Sequence, residues 1–319
     1  MSNFSNIGSS TVMLILDGGS TSIANFLPSP RPAIPSPLTK LWTAAYSQIA
    51  PGAVLEWHKS FLEAGADIIT TNTYQIPLTK DLPDADLPSI VHKAVSLALE
   101  AVQSHGKGSV ALSFGTRNAQ FGKSEYSTEA QASMEEYREY HREKLAEFYM
   151  ATRKELKHIE YFAFETLSSF EEASAVLEIL AQTHFTVGKK AWVTFSCGDA
   201  SISRMEGIIE QVLQSQHILR LWGIGFNCVG IDIVKDLAEM LAKKINGTHL
   251  RMVVYPDAGR CHDRTTAQFT QATEPVGDAD VQEWAETLAQ VGNLNEGKVV
   301  LGGCCNTDSR HISALAKVL

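Results

Sequence analysis

Four short β-branched runs begin one every thirty residues, at positions 161, 191, 221 and 251. They are Tyr161–Thr166 (YFAFET), Ala191–Cys197 (AWVTFSC), Leu221–Cys228 (LWGIGFNC) and Arg251–Asp257 (RMVVYPD). That period is the length of one strand–helix unit, about 30 residues. Val12–Asp17, Asp67–Tyr74 and Ser109–Gly115 precede them and Lys298–Cys305 follows, making eight. Most are near-continuous apolar runs rather than alternating ones, as in parallel strands buried on both faces.

Helical patterns lie between the runs. Leu87, Ile90, Val91, Ala94, Val95, Ala98 and Val102 keep one apolar stripe. Ser168 with Glu171 predicts a capping box ahead of Ala173, Val176, Leu177 and Leu180. Similar stripes follow runs six (Val234, Leu237, Leu241, Ile245) and seven (Val281, Trp284, Leu288, Val291). Eight alternations predict an α/β chain folded as a single (β/α)8 TIM barrel, one domain over residues 1–319, with a doubly wound open sheet as the alternative. Phe26–Leu38 holds five of the eleven prolines. It reads as a stiff, non-helical loop in the first strand–helix connection.

Composition narrows the partners. With 44% hydrophobic and 20% charged residues the chain can fill a core. No apolar run approaches the roughly 18 residues of a membrane span, and no basic segment precedes the first apolar run as a signal peptide requires. Lys plus Arg number 27 against 36 Asp plus Glu, a net charge of -9, so a basic face for nucleic acid is not expected. Five cysteines, odd and sparse, fit a reducing, cytoplasmic setting with free or metal-bound thiols.

In a barrel, side chains at the C-terminal strand ends converge on one site. Those ends are Asp17-Gly18-Gly19, Thr73-Tyr74-Gln75, Glu165-Thr166, Asn227-Cys228, Tyr255-Pro256-Asp257 and Gly302-Gly303-Cys304-Cys305. Three cysteines fall on ends six and eight, and three thiolates with one open position is the pattern of a zinc site that binds or activates something. Adjacent residues on a regular strand point to opposite faces. Strand eight must therefore end or twist before Cys304 and Cys305, which Gly302 and Gly303 permit by leaving φ unrestricted. The plainer alternative, buried core cysteines, is the reading for Cys197 and Cys261. Asp17 and Glu165 end apolar strands and need a partner, either a ligand's ammonium or neighbouring backbone amides.

Other features point nowhere in particular. His58, His92, His105 and His141 lie on helical patterns and read as surface or satisfied residues. Gly223-x-Gly225 lacks the third glycine of a dinucleotide loop. The acidic 135–147 stretch reads as a solvated helix face. Lys40, Lys80 and Lys123 are not at strand ends, so Schiff-base chemistry ranks last.

Taken together, the strand ends resemble the homocysteine-binding domain of the zinc-dependent homocysteine S-methyltransferases. The resemblance rests on DGG at 17–19, LW at 41–42, AGADIITTNTYQ at 64–75, SEY at 124–126 and FET at 164–166 with EEA after it. It continues through GFNC at 225–228, YPDAG at 255–259, GGCCNT at 302–307, then His311 and Ile312. It implies that Cys228, Cys304 and Cys305 hold Zn2+, and that Asp17 and Glu165 take the amino group of homocysteine. It further implies that backbone near Gly18 and Gly19 takes the carboxylate, with Asn227 and Tyr255 lining the pocket. No catalytic residue is implied beyond the zinc-activated substrate thiolate. The implied reaction moves a methyl group from a sulfonium donor, S-methylmethionine or S-adenosylmethionine, to L-homocysteine in methionine biosynthesis. Its partners are a small thiol and that donor, not nucleic acid or membrane. Members of the family include both monomers and larger assemblies.

The chain departs from the family pattern at three places. Ser20–Asn25 stands where Thr, then Glu, usually follow DGG; Gly115-Thr116-Arg117-Asn118 replaces Gly-Pro-Tyr-Gly; Asp257 and Arg260 replace Asn and Glu. These changes leave open another small thiol or selenol as acceptor, such as selenocysteine or selenohomocysteine, or a zinc-binding barrel without turnover.

Overall fold

A computed structural model describes residues 13–119, 132–196, 202–259, 262–263, 268–269 and 277–319. Lys123, Cys197, Arg260, Cys261 and the SEY segment lie outside the described residues.

Each of the eight apolar runs contains a strand. They are β1 (Leu14–Ile15), β2 (Ile68–Thr70), β3 (Ser109–Phe114), β4 (Ile159–Leu167), β5 (Lys190–Phe195), β6 (Leu221–Asn227), β7 (Arg251–Tyr255) and, after a short hairpin of β8 (His262–Asp263) and β9 (Gln268–Phe269), β10 (Val299–Leu301). The eight form one parallel sheet in the order β1-β10-β7-β6-β5-β4-β3-β2. A parallel bridge between Leu16 and Ile68 joins the two ends, so the sheet closes into a barrel. Side chains from alternate positions (Leu16, Ile68, Ala111, Tyr161, Trp192, Val253, Val300) fill its interior. A larger apolar layer packs the outer strand faces against the helices.

The helices fall in the connections, with α1 (Tyr46–Ile49) and α2 (Pro51–Glu63) after β1 and α3 (Leu87–His105), α4 (Met134–Thr152), α5 (Phe170–Gln182), α6 (Ile202–Leu213) and α7 (Ile231–Ile245) after the next five strands. The last two are α8 (Asp278–Gly292) and α9 (Ser309–Val318). The apolar stripes of α3, α7 and α8 are the buried faces. Between the 3₁₀ segments Ser20–Phe26 and Leu38–Ala45 the proline-rich stretch has no regular structure. Among the described residues no helix is long and apolar enough to cross a membrane.

Several expectations are corrected. The N-cap of α5 is Ser169, which accepts from the Glu172 amide at 3.2 Å, one residue beyond the expected pair. The acidic helix α4 is not simply solvated: Tyr137, Tyr140, His141, Lys144, Leu145 and Phe148 are buried along it. His58 is fully buried, and desolvation lowers its pKa to about 3, keeping it neutral. His141 is buried against Glu172 at 2.9 Å. Gly225 belongs to strand packing, since a Cβ there would sit 1.6 Å from the Val253 carbonyl oxygen.

Candidate active site

The two glycine pairs of the sequence meet where β1 and β10 end side by side. The Gly303 amide donates to the Asp17 carbonyl at 2.9 Å, and the Gly19 amide to Thr307 Oγ1 at 2.9 Å. A Cβ on Gly19 would lie 2.1 Å from the Cys304 carbonyl oxygen, and one on Gly303 2.3 Å from Thr307 Oγ1. Neither Gly302 nor Gly303 has a positive φ. Close approach, rather than the freedom in φ expected from sequence, is what requires glycine here. The residues with positive φ that line the site are instead Trp42 (φ 49), Thr166 (φ 65) and Cys228 (φ 49).

The turn at Cys228 and the end of β10 bring the three cysteines together, their sulfurs all within 4.8 Å of one another. Cys228 Sγ and Cys305 Sγ are 3.8 Å apart. Four-coordinate zinc with bonds of about 2.3 Å to sulfur spaces its sulfurs at about 3.8 Å, so this pair fits such an ion. Cys228 and Cys304 are joined by a disulfide, with Cα atoms 5.5 Å apart. That departs from the thiols expected from sequence; the strand ends set a separation that a disulfide spans readily. Three sulfurs in one cradle are a soft donor set, the kind that zinc selects.

Above the sulfurs opens a cleft of about 700 Å³ counting its mouth, within the range of small-molecule sites. Its wall contains all nine residues expected of the site: Asp17, Gly18, Gly19, Glu165, Asn227, Cys228, Tyr255, Cys304 and Cys305. Among the described residues lining it, none is a lysine, arginine or histidine.

Two carboxylates face this uncompensated space. Asp17, 1% exposed, accepts from the Thr70 amide at 2.7 Å and the Thr70 hydroxyl at 3.0 Å. Burial nevertheless raises its pKa well above the usual carboxylate range. Glu165 accepts from Ser113 Oγ and, at 2.9 Å, from the Tyr255 hydroxyl. Burial raises its pKa to about 7 against those hydrogen bonds. The Tyr255 oxygen is itself 2.7 Å from Thr194 Oγ1. Two buried carboxyl groups with no lysine, arginine or histidine among the described residues lining their cleft could hold a cation there.

Thr70, Ser113, Thr166, Trp42 and Tyr74 also line the cleft, and sequence reasoning did not single them out for a role. A polar residue inside an apolar strand run is a signal that Thr70 and Ser113 both carry. Below the wall, the Arg117 amide donates to Glu172 Oε1 at 2.8 Å, so the divergent 115–118 segment is tied to the buried His141–Glu172 pair.

Fold and site together define a barrel enzyme that handles sulfur at the C-terminal mouth of its strands. The chain belongs to the homocysteine S-methyltransferase family, whose sequence pattern matches residues 14–319, and it is a methyltransferase. It is 28% identical over 328 residues to homocysteine S-methyltransferase 1 of Arabidopsis thaliana, covering 96% of this chain and 93% of that protein. It is also 28% identical over 304 residues to the betaine–homocysteine S-methyltransferase of Drosophila melanogaster, covering 87% and 86%. The crystal structure of the homocysteine methyltransferase MmuM from Escherichia coli in its metallated form superposes with a TM-score of 0.71 at 23% identity, covering 96% of both chains. That likeness speaks for the barrel fold.

Proposed function

We propose that this protein is a zinc-dependent S-methyltransferase that moves a methyl group from a sulfonium donor to L-homocysteine, giving methionine. The observation that carries the reading is the meeting of three cysteine sulfurs with two uncompensated buried carboxylates in one cleft. Homocysteine is a thiol and an ammonium on one short chain, and it offers each group what it lacks. The proposal extends to a cytoplasmic role in methionine biosynthesis.

Cys228, Cys304 and Cys305 would hold zinc as thiolates, which requires the Cys228–Cys304 disulfide to be reduced. A free thiol titrates near ~8.5; zinc bound there would supply a fourth position that keeps the substrate sulfur ionised near neutral pH. Asp17 and Glu165 hold the substrate ammonium between them. Their raised pKa values express the cost of ionising without a cation, and the arriving ammonium removes that cost. Tyr255 and Ser113 fix the Glu165 carboxylate by donating to it. Because Gly19 already gives its amide to Thr307, Gly18 is the better placed of the two to meet the substrate carboxylate.

The donor is a cation too, and a cleft with acidic groups, aromatic Trp42 and Tyr74 and no basic side chain suits it. In the transfer, an electron pair of the homocysteine sulfur forms the new bond to carbon as the carbon–sulfonium bond breaks. The electron pair of the broken bond stays on the departing sulfur, which leaves as a neutral thioether. A sulfonium methyl is already activated, so the protein's share is alignment of the two sulfurs and exclusion of water.

Zinc content of the reduced protein and of Cys304→Ala, with methionine formation from L-homocysteine and either S-methylmethionine or S-adenosylmethionine, tests this. About one zinc per chain, lost in the variant together with methionine formation, is expected. Zinc-free reduced protein, or no methionine from either donor, overturns it.

A further inference from the structure

We propose that Asn227 positions both arms of this site, aiming Glu165 through Thr166 and holding the Cys304 sulfur, and that it makes no contact of its own with substrate. The inference rests on the reading above, in which Glu165 meets the substrate ammonium and the cysteines hold metal.

Thr166 is β-branched yet sits at φ 65, a region such residues occupy only when their surroundings hold them there. The pairing of β4 with β5 runs Phe164 to Val193 and then Leu167 to Phe195. Glu165 and Thr166 therefore face the single residue Thr194, and the Thr166 amide loses its place in the ladder. Asn227 supplies the missing partner: the Thr166 amide donates to Asn227 Oδ1 at 2.8 Å. That donor fixes which way the side-chain amide points. The Asn227 nitrogen then donates to Thr166 Oγ1 at 2.8 Å and to Cys304 Sγ at 3.9 Å. A side-chain amide has two N–H hydrogens. Both are engaged within the protein, and the residue is 2% exposed. Asn227 is thus a brace between the strand end that presents Glu165 and the sulfur cluster.

Two thiols and one metal read the two arms separately. Homocysteine and 4-mercaptobutanoate differ only in the ammonium group, so the ratio of their kcat/KM values measures how well Glu165 is aimed. Cobalt(II) bound to the reduced protein reports the Cys304 sulfur through its thiolate-to-metal charge-transfer band. Asn227→Ala is expected to lose about tenfold of the wild-type preference for homocysteine and to move the band to lower energy, since a thiolate relieved of an N–H donor gives up charge more readily. Adding Thr166→Gly, which enters the left-handed region without a brace, restores the preference and leaves the band shifted. Asn227→Asp, nearly isosteric, keeps the acceptor for Thr166 and loses both donors, so it retains the preference while the band shifts. An Asn227→Ala protein with wild-type preference and band, no rescue by Thr166→Gly, or an unmoved band in Asn227→Asp overturns the proposal. Wild-type protein that binds no cobalt, or prefers neither thiol, fails the underlying reading and takes this inference with it.

Discussion

The Tyr255 hydroxyl donates to Glu165 across 2.9 Å, from the end of β7 to the end of β4. It stabilises the ionised carboxylate against burial, which even so raises the Glu165 pKa to about 7. Tyr255→Phe removes that donor and keeps the ring, so the Glu165 pKa rises further. The carboxylate must be ionised to hold an ammonium, so the acid limb of kcat/KM for homocysteine moves to higher pH and KM near neutrality rises about tenfold. A pH profile of the variant from 6 to 9 reads both, and an unmoved acid limb would contradict the role given to Tyr255.

The same carboxyl group makes ligand-free stability depend on pH in a definite direction. Its folded pKa is about 7 and its ordinary value 4.5. Between these the folded protein binds more protons than the unfolded chain, so stability falls as pH rises through that window. The upper bound for this one group is roughly 3 kcal/mol by pH 8. Glu165→Gln removes the titration. Its Tm relative to wild type is therefore higher at pH 8 than at pH 5, while homocysteine turnover is lost. Parallel thermal melts at the two pH values check the sign.

Glu172 is the buried centre of a second cluster. It accepts from His141 at 2.9 Å and from the Arg117 amide at 2.8 Å. Removing one partner of a buried pair costs about 3–5 kcal/mol, and here the Arg117 amide loses its Glu172 acceptor as well. Glu172→Ala is expected to lose at least about 3 kcal/mol in urea unfolding. Arg138→Ala breaks a half-exposed pair with Glu178 and should cost no more than about 1 kcal/mol. Equal losses in the two variants would show that the His141–Glu172 pair contributes nothing special.

The strands and the cysteine cluster were legible from sequence because each rests on local features. Apolar runs at a fixed period dictate buried parallel strands, and a barrel carries their ends to one mouth whatever their separation. What was not legible depends on partners far away in the chain. Ser168–Glu171 and Ser169–Glu172 offer the same capping spacing one residue apart. The second is used because Glu172 is buried against His141, thirty-one positions back. Gly302 and Gly303 looked like freedom in φ, but the need for no side chain at this end arises from close approach, where Gly303 meets Thr307 and Gly19 meets the Cys304 carbonyl. The Thr166–Asn227 brace spans sixty-one positions and leaves no periodic trace.

Metal uptake should follow the redox state of one pair of sulfurs. With Cys228 and Cys304 joined, Cys305 is the one sulfur of the cluster outside the disulfide. A lone thiolate gives far weaker zinc binding than three. Reduction by an added dithiol transfers two electrons to the disulfide, yields two thiols and leaves the reductant as its own disulfide. Oxidised protein, separated from reductant, is therefore expected to take up well under one zinc per chain, and reduced protein about one. Binding also releases protons from the cysteine thiols, so affinity weakens as pH falls. Cys305→Ser keeps the disulfide pair and removes the third sulfur, and its reduced form should bind zinc at least tenfold more weakly than wild type. Zinc titration with a competing chromophoric chelator measures all three proteins. Equal uptake by oxidised and reduced wild type would mean that the metal sits elsewhere.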